Sequence, residues 1–368
     1  MVLCVIKRRF LEWSEKRVNK INPLEDIDIT GARIDDSIKK QIEKYHKYYN
    51  LTHHGDLYRL INHYEDYLKL LEDYKPYIES VYFGLSELEN HLSLQNKFNK
   101  FDNSKEFLEQ SKGLYKRIVP YNGIHYNKPE KVVFKYFYDV IYPLVEKYDI
   151  DGFILTNLNL AKMIKTDFPK IEIHTSCNTF QWNIRQMDLW NREVGITYFN
   201  PPREACKNPE LLKQMSDAGY KLKVLINEAC VYGCGYTINH ACSVVGGLGD
   251  NTNCFSNDFH NALKTNLFLP RWLKYIDEYV SVYKLAGRVY NLEKLKFLFD
   301  SYILEKPFTY LDEISAMGQH STIRILKDRY NVRIPEDIVP EKTRWCECRE
   351  CNTCKICDNI IDELLNKV

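Results

Sequence analysis

Nine of the twelve cysteines lie in two short stretches of the chain, and clustered thiols typically bind soft metals or carry out redox chemistry. The central stretch begins at Asn227 and Glu228 and carries four thiols and an imidazole: Cys230, Cys234, His240, Cys242 and Cys254. The second stretch lies near the end of the sequence: Cys346, Cys348, Cys351, Cys354 and Cys357. Random placement would scatter these residues, so metal binding is the first hypothesis.

The spacing within the second stretch distinguishes between metals. Cys348, Cys351, Cys354 and Cys357 are each separated by two residues. The spacing C-x2-C-x2-C is typical of three ligands to a 4Fe–4S cluster, whereas structural zinc sites usually pair two Cys-x-x-Cys hooks across a longer loop. We therefore expect an iron–sulfur cluster here, with zinc as the alternative.

The central cysteines offer four ligands from one long loop. By spacing alone, Cys230, Cys234, Cys242 and Cys254 fit a cluster or a zinc ion equally well. Cys177 is a candidate to replace one of the four, Cys242 in particular. Glu228 and His240 lie in the same stretch, which favours a working site over a structural one.

The elements that position these residues follow from the hydrophobic pattern. Short apolar runs alternate with amphipathic segments of helical period, and this alternation predicts an α/β fold with a parallel sheet. The eight candidate strands are 48–53, 79–83, 117–120, 151–155, 171–175, 196–199, 222–226 and 280–285. Eight is the number that closes a (β/α)8 TIM-like barrel. We expect a helical extension over 1–44, the barrel over 45–330, and a linker with a Cys-rich tail over 331–368.

Charged side chains follow several of the candidate strands. In a barrel the carboxyl ends of the strands build the active site, so these residues would converge on one mouth. Glu228 is a candidate for proton transfer, although it could instead cap its loop. Arg203, Lys284 and Arg288 would favour an anionic substrate, although Arg203 could simply pair with Glu204. Asn178 and Asn183 are weaker candidates as orienting groups, and His174 is expected to be a core histidine.

The composition bounds the class of protein. Fifty-one basic residues oppose fifty acidic ones, so no chain-wide positive field recruits nucleic acid. The first residues do not resemble a signal peptide, and no run approaches the roughly 18 apolar residues of a membrane span. We therefore expect a cytoplasmic protein without a membrane span. In that compartment clustered cysteines bind metal more often than they form disulfides.

Several short motifs, taken in order, resemble the peptidase U32 (collagenase-like) family over about residues 48–302. They are 82–84 (YFG), 151–155 (DGFIL), 173–183 (IHTSCNTFQWN), 202–204 (PRE) and 284–288 (KLAGR). The segment 227–230 (NEAC), with Cys234, resembles a variant branch of that family. The cysteine spacing differs from that branch, and the tail cysteines have no counterpart in it that aligns.

The resemblance implies an α/β barrel and two kinds of activity. Several relatives are oxygen-independent hydroxylation proteins that act in ubiquinone synthesis or on RNA bases, with a 4Fe–4S cluster on four cysteines. If the four cluster ligands of those relatives are transferred to this sequence, the resemblance implies that they correspond to Cys230, Cys234, Cys242 and Cys254. We therefore expect an iron–sulfur redox enzyme that hydroxylates a small molecule or peptide. It would need an electron donor, and a paired homologous subunit is a further expected partner. A U32-type peptidase and an RNA-modifying protein are the alternatives.

Overall fold

The computed structural model describes residues 64–82, 108–123, 134–135, 137–238, 240, 259–286, 292–316, 326–328, 330–333 and 353–366. The predicted N-terminal extension (1–44), the first predicted strand (48–53) and the predicted linker (334–340) lie outside these residues.

The described residues form a mixed α/β fold whose strands are parallel. The strands are β1 (Ser80–Tyr82), β2 (Lys116–Tyr121), β3 (Gly152–Leu155), β4 (Glu172–Thr175), β5 (Lys223–Leu225) and β6 (Val282–Lys284). The first four pair in the order β1-β2-β3-β4, and β5 pairs with β6. Two parallel bridges, His174 to Tyr198 and Phe199 to Leu222, join these two sheets through the segment 196–199.

Helices follow most of the strands. They are α1 (Tyr64–Asp73), α2 (Tyr142–Tyr148), α3 (Leu158–Asp167), α4 (Ile184–Val194), α5 (Pro209–Asp217), α6 (Leu292–Ile303), α7 (Leu311–Ile314) and α8 (Ile356–Leu365). Asn157, Asn183 and Asn208 each cap the following helix, because each side-chain oxygen accepts a backbone N–H three residues ahead. These caps place the start of each helix close behind the preceding strand.

The two faces of the strands differ in chemistry. Val119, Phe153, Ile173 and Val224 are buried in one apolar core with residues of the helices. Successive side chains of a strand point to opposite faces, so the neighbours of these residues share the other face. That face carries charged and polar groups at the amino ends of the strands: Lys116, Glu172, His174 and Lys223. Burial of the helix-covered face holds the fold together.

The first and last described strands touch each other. The Tyr82 hydroxyl on β1 donates to the Leu285 carbonyl 2.9 Å away, just past β6. The Lys284 ammonium lies 4.5 Å from the centre of the Tyr82 ring. The two edges of the described sheets therefore approach each other.

The hydrophobic pattern predicted most of these elements. Six predicted strands coincide with β1 to β6 within about two residues, and 196–199 supplies the two bridges between the sheets. The helix α8 begins at Ile356 and therefore includes Cys357 of the predicted Cys-rich tail. Among the helices that the structure describes, none has both the length and the apolar character to cross a bilayer.

Candidate functional site

The loops at the carboxyl ends of β4 and β5 carry the predicted chemistry, and local hydrogen bonds fix the first of them. The Ser176 hydroxyl accepts the backbone N–H of Asn178 at 3.2 Å, which closes a turn at the end of β4. A single 3-10 turn, Cys177–Thr179, follows and holds Cys177 in a buried position. The Asn178 amide donates to the Asn122 carbonyl at 3.4 Å, so the loops after β2 and β4 meet.

Arg203 and Glu228 form an ion pair at this end of the strands. The Nε of Arg203 donates to Oε2 of Glu228 at 3.1 Å, and the two side chains are only 15% and 8% exposed. Arg203 begins the 3-10 turn Arg203–Lys207, and Glu228 follows β5 by three residues. The partner of Arg203 is therefore Glu228, not the adjacent Glu204 that the sequence offered as an alternative. Burial of both charges makes their mutual neutralisation necessary.

Two cysteines, Cys177 and Cys230, contribute to the electrostatics of the Arg203 guanidinium. Burial by itself lowers the pKa of Arg203, but Cys177, Glu228 and Cys230 outweigh it and raise that pKa above its ordinary value. Arg203 is therefore cationic at every physiological pH. Burial, with a smaller contribution from Cys177, raises the pKa of the Cys206 thiol well above its usual range. Cys206 is fully buried and its Sγ lies 3.7 Å from the Pro202 carbonyl oxygen, so this thiol stays protonated and inert.

Four buried polar side chains at the same strand ends carry oxygen atoms without a hydrogen-bond partner among the described residues. The atoms are Asn122 Oδ1, Gln181 Oε1, Asn200 Oδ1 and Glu228 Oε1, and the Nε2 of Gln181 is also unpaired. The four residues are between 2% and 6% exposed. Buried polar atoms are nearly always paired, so four together at one place need an explanation. Sequence reasoning missed Asn122, Gln181 and Asn200; the available signal was their position directly behind apolar runs.

The structure places the other predicted residues as follows. Glu204 Oε1 is 3.4 Å from the Thr237 hydroxyl, which ties the turn after 196–199 to the Cys234 loop. The Lys284 ammonium lies over the Tyr82 ring, and the backbone N–H of His240 donates to the Tyr236 carbonyl. Asn183 is the N-cap of α4 and so has a structural role. Arg288 lies outside the described residues.

Two of the four central cysteines and two of the five tail cysteines are described. Cys230, Cys234, Cys354 and Cys357 are all partly exposed and are not joined in disulfides. Within the described part of the chain, no three His, Cys, Asp or Glu side chains come together in a way that could hold a metal ion. Cys242, Cys254, Cys346, Cys348 and Cys351 lie outside it. The described thiols, including Cys177, do not make a metal site by themselves, and the predicted ligand sets stay predictions.

A second polar cluster lies at the opposite, amino ends of the strands. The Nζ of Lys223 is 3.0 Å from Oε2 of Glu79 and 3.5 Å from Nδ1 of His174. The Nε2 of His174 is 3.2 Å from Oε2 of Glu172, which also pairs with Lys116 at 2.7 Å. His174 is fully buried, in line with the expected core histidine. Because its polar groups are paired with one another, we interpret this cluster as stabilising the fold rather than as a binding or catalytic site.

The described residues define the class: an α/β protein of parallel strands, with the buried Arg203–Glu228 pair behind the strands' carboxyl ends. The family model of peptidase family U32 matches residues 66–235, which span β1 to β5 and both Arg203 and Glu228. The chain therefore carries a region that matches the model of peptidase family U32 over a little less than half of its length.

Two individual proteins are similar to this chain. An uncharacterized protease of Methanocaldococcus jannaschii is 20% identical over 179 residues, which are 45% of this chain and 53% of that protein. The chain thus matches about half the length of that curated relative. The solved structure of the U32 peptidase Mk0906 is 10% identical and covers 57% of this chain and 85% of its own, with a TM-score of 0.43.

Proposed function

We propose that this protein hydrolyses peptide bonds, with Glu228 as the group that moves protons and Arg203 as the group that stabilises negative charge. The observation that carries the proposal is the buried Arg203–Glu228 pair, in which Oε2 of the carboxylate is held and Oε1 is left without a partner among the described residues. A carboxylate held in this way is oriented and keeps one oxygen for a water molecule. The match of residues 66–235 to the model of a peptidase family supports the same reaction class.

The two residues would divide the reaction between them. Glu228 Oε1 takes a proton from water as the water oxygen attacks the carbonyl carbon of the substrate amide. The carbonyl oxygen then becomes an oxyanion, which the Arg203 guanidinium stabilises, since only its Nε donates to Glu228. When the C–N bond breaks, Glu228 returns its proton to the departing amine. Water is consumed, and a carboxylic acid and an amine are released.

The test compares Glu228→Gln with a matched surface variant, Glu146→Gln, whose carboxylate is exposed on α2. Cleavage of a fluorescein-labelled, denatured protein is followed for the wild type and for both variants. We expect Glu228→Gln to lose about 100-fold or more in rate, as is typical for loss of a general acid–base group. Glu146→Gln should retain the wild-type rate. Cleavage by Glu228→Gln at the wild-type rate would contradict the proposal.

We also propose that the described strands belong to a closed (β/α)8 barrel. The support is the parallel connection from β4 through 196–199 to β5 and the contact of Tyr82 on β1 with Leu285 beyond β6. The predicted strand 48–53 would then close the gap between β6 and β1. Closure would bring all the strand ends to one mouth.

Several cysteines lie on the loops at the carboxyl ends of the strands, so an iron–sulfur redox reaction is a second candidate function. Cys177 and Cys230 both act on the Arg203 charge, and Cys234 lies on the same loop as Cys230. We propose that any cluster there also uses Cys242 and Cys254, because the described residues alone do not form a metal site. The tail cysteines would hold a second cluster or zinc, and an electron donor would be required.

The second candidate has its own test. Iron, sulfide and zinc are quantified in protein purified without oxygen, for the wild type and for Cys230→Ser and Cys354→Ser. Roughly four irons per chain that disappear in Cys230→Ser would support a central cluster. Wild-type protein without iron would exclude it. Retention of RNA on the protein that weakens steeply with salt would instead support RNA modification.

A further inference from the structure

We infer that the buried oxygens at the strand ends form a binding site for the backbone N–H groups of a neutral peptide segment. The acceptor arc is the set Asn122, Gln181, Asn200 and Glu228; the first three accept N–H groups of the peptide, and Oε1 of Glu228 holds the attacking water beside them. The inference rests on the proposed function for the identity of the ligand as a peptide. It adds which groups of that peptide are recognised and which residues recognise them.

Contacts between loops connect the segments that carry Asn122, Asn200 and Glu228, and Gln181 follows the Cys177–Thr179 turn in the loop after β4. Asn178 donates to the Asn122 carbonyl, which joins the loops after β2 and β4. The Asn200 amide and backbone N–H both bond to Thr175, the last residue of β4. The loop after Asn200 is joined to the loop after β5 by the Arg203–Glu228 pair. The four residues therefore lie on loops at the carboxyl ends of the strands: Asn122 after β2, Gln181 after β4, Asn200 after 196–199 and Glu228 after β5.

The chemistry of the unpaired atoms selects the ligand. Four of the five atoms are oxygens, which accept hydrogen bonds, so the ligand must present donors. A carboxylate or phosphate offers only acceptors and would meet these oxygens unfavourably. The Glu228 charge is already neutralised by Arg203, and the remaining oxygens are amide oxygens, so a cation gains little here. A neutral ligand with N–H groups fits best, which differs from the anionic substrate that Arg203, Lys284 and Arg288 led us to expect from the sequence.

Gln181 specifies the ligand further. Both polar atoms of its carboxamide are unpaired, although the residue is only 3% exposed. A planar carboxamide with a free acceptor and a free donor matches a peptide group, which offers one N–H and one C=O. A polyol could donate hydrogen bonds but would not match this planar pair as well. Buried groups left unpaired in the free protein discriminate strongly, because a ligand that lacks the matching groups leaves them unpaired.

The test measures binding directly and does not require turnover. Saturation-transfer NMR is recorded with the uncharged peptide N-acetyl-Ala-Ala-Ala-N-methylamide and with its analogue in which every backbone nitrogen is methylated. Glutarate serves as an anionic probe and sorbitol as a polyol. We expect a signal from the first peptide that falls about tenfold in apparent affinity when the N–H groups are removed.

The decisive variant is Gln181→Met, which keeps the side-chain shape and removes both unpaired atoms. Because Gln181 makes no side-chain hydrogen bond to the described residues, the substitution should not lower the melting temperature. It should nevertheless reduce peptide binding about tenfold, since the matching hydrogen bonds are lost. The control is Gln110→Met, whose side chain is exposed elsewhere on the surface.

The outcomes separate this inference from the proposed function. Peptide binding that depends on Gln181, without any peptide cleavage, would support the acceptor arc and refute the hydrolase. The acceptor arc would be refuted by equal signals from the methylated peptide, by stronger binding of glutarate or sorbitol, or by no peptide signal at all. It would also be refuted if Gln181→Met bound the peptide as the wild type does.

Discussion

The ammonium of Lys223, the first residue of β5, lies 3.0 Å from the carboxylate of Glu79, the residue before β1. The two residues are separated by 144 positions, and the bond connects the two described sheets at their amino ends. Their side chains are 5% and 23% exposed, so the pair is largely shielded from solvent. Removing one partner should therefore lower the free energy of unfolding more than removing one partner of a surface ion pair would.

The two single substitutions in this pair should differ in cost. Glu79→Gln leaves the buried Lys223 charge without a carboxylate at hydrogen-bond distance among the described residues, and we expect a loss of about 2–4 kcal/mol in the free energy of unfolding. Lys223→Met leaves Glu79 paired with Lys116 at 3.3 Å and should cost less, about 0–2 kcal/mol. Urea denaturation measures both. If both substitutions lower the free energy of unfolding equally, the unpaired charge on Lys223 is not the reason why Glu79→Gln destabilises the protein.

His174 should make the protein sensitive to mild acid. Burial lowers its pKa to about 4, a shift that the hydrogen bond to Glu172 opposes and the charge of Lys223 reinforces. In the unfolded chain the pKa of histidine is about 6.5, so between the two values only the unfolded state takes up the proton. Stability is therefore fully present above about pH 6.5 and falls as the pH drops toward 4, by on the order of 3 kcal/mol from this residue.

The variant His174→Gln isolates this contribution. Its amide can still donate to Glu172 but does not titrate, so the decrease in urea midpoint between about pH 6.5 and pH 4.5 should become smaller. Glu172, whose pKa is lowered to about 2, loses its stabilising contribution only below its unfolded pKa near 4.5 and so does not mask the effect. Identical pH dependence of the wild type and the variant over this interval would show that His174 is not the sensitive group.

Gly152 should not tolerate any side chain. It lies in β3 between β2 and β4, and a Cβ atom there would be 2.7 Å from the Glu172 carbonyl oxygen and 2.9 Å from Cδ1 of Ile118. The first contact is with backbone of a central strand, which cannot move aside without disturbing the sheet. We expect Gly152→Ala to lower the free energy of unfolding by about 1–3 kcal/mol.

Gly235→Ala is the matched control for that experiment. A Cβ atom at Gly235 would have no atom within 4 Å, and no left-handed backbone angle is required there. Its effect should stay within about 0.5 kcal/mol. A destabilisation equal to that of Gly152→Ala would contradict the steric explanation.

Local patterns in the sequence predicted the strands and helix starts. They did not predict which residues distant in sequence form ion pairs with each other. The strand positions follow from apolar runs. Asn157, Asn183 and Asn208 mark helix starts, because each side chain accepts a hydrogen bond from the backbone N–H three residues ahead. Arg203 and Glu228 were both expected behind strands, but only the structure shows that they pair with each other. The Glu79–Lys223 bond depends on which strand ends face each other, and no local signal encodes that.

The C-terminal helix α8 is joined to the loop that carries Cys230. Ile361 and Leu364 of α8 are buried in the main core, and Asp358 forms a partly buried ion pair with Lys264. The backbone around Lys264 in turn pairs with the cysteine loop. Its carbonyl accepts the N–H of Tyr232 at 2.8 Å, and the carbonyl of Cys230 accepts the N–H of Asn266 at 2.9 Å. Asp358 directly follows Cys357, so this ion pair connects the tail thiols to the central loop; His260 and Asp362 form a second, more exposed contact between α8 and the same segment.

We therefore expect the variant Asp358→Asn to loosen the Cys230 loop without unfolding the protein. Loss of the ion pair should raise the rate at which iodoacetamide alkylates Cys230 and Cys234 by about threefold to tenfold, as expected for a contact of about 1 kcal/mol. Mass spectrometry of timed samples measures each thiol separately. Cys206 is the internal standard, because its buried thiol should stay unmodified until the protein unfolds. Glu363→Gln, an exposed position on the same helix, should leave the rates unchanged. If Asp358→Asn alkylates at the wild-type rate, the buried Ile361 and Leu364 and the His260–Asp362 contact are enough to hold the helix, and the Asp358 ion pair does not control the loop.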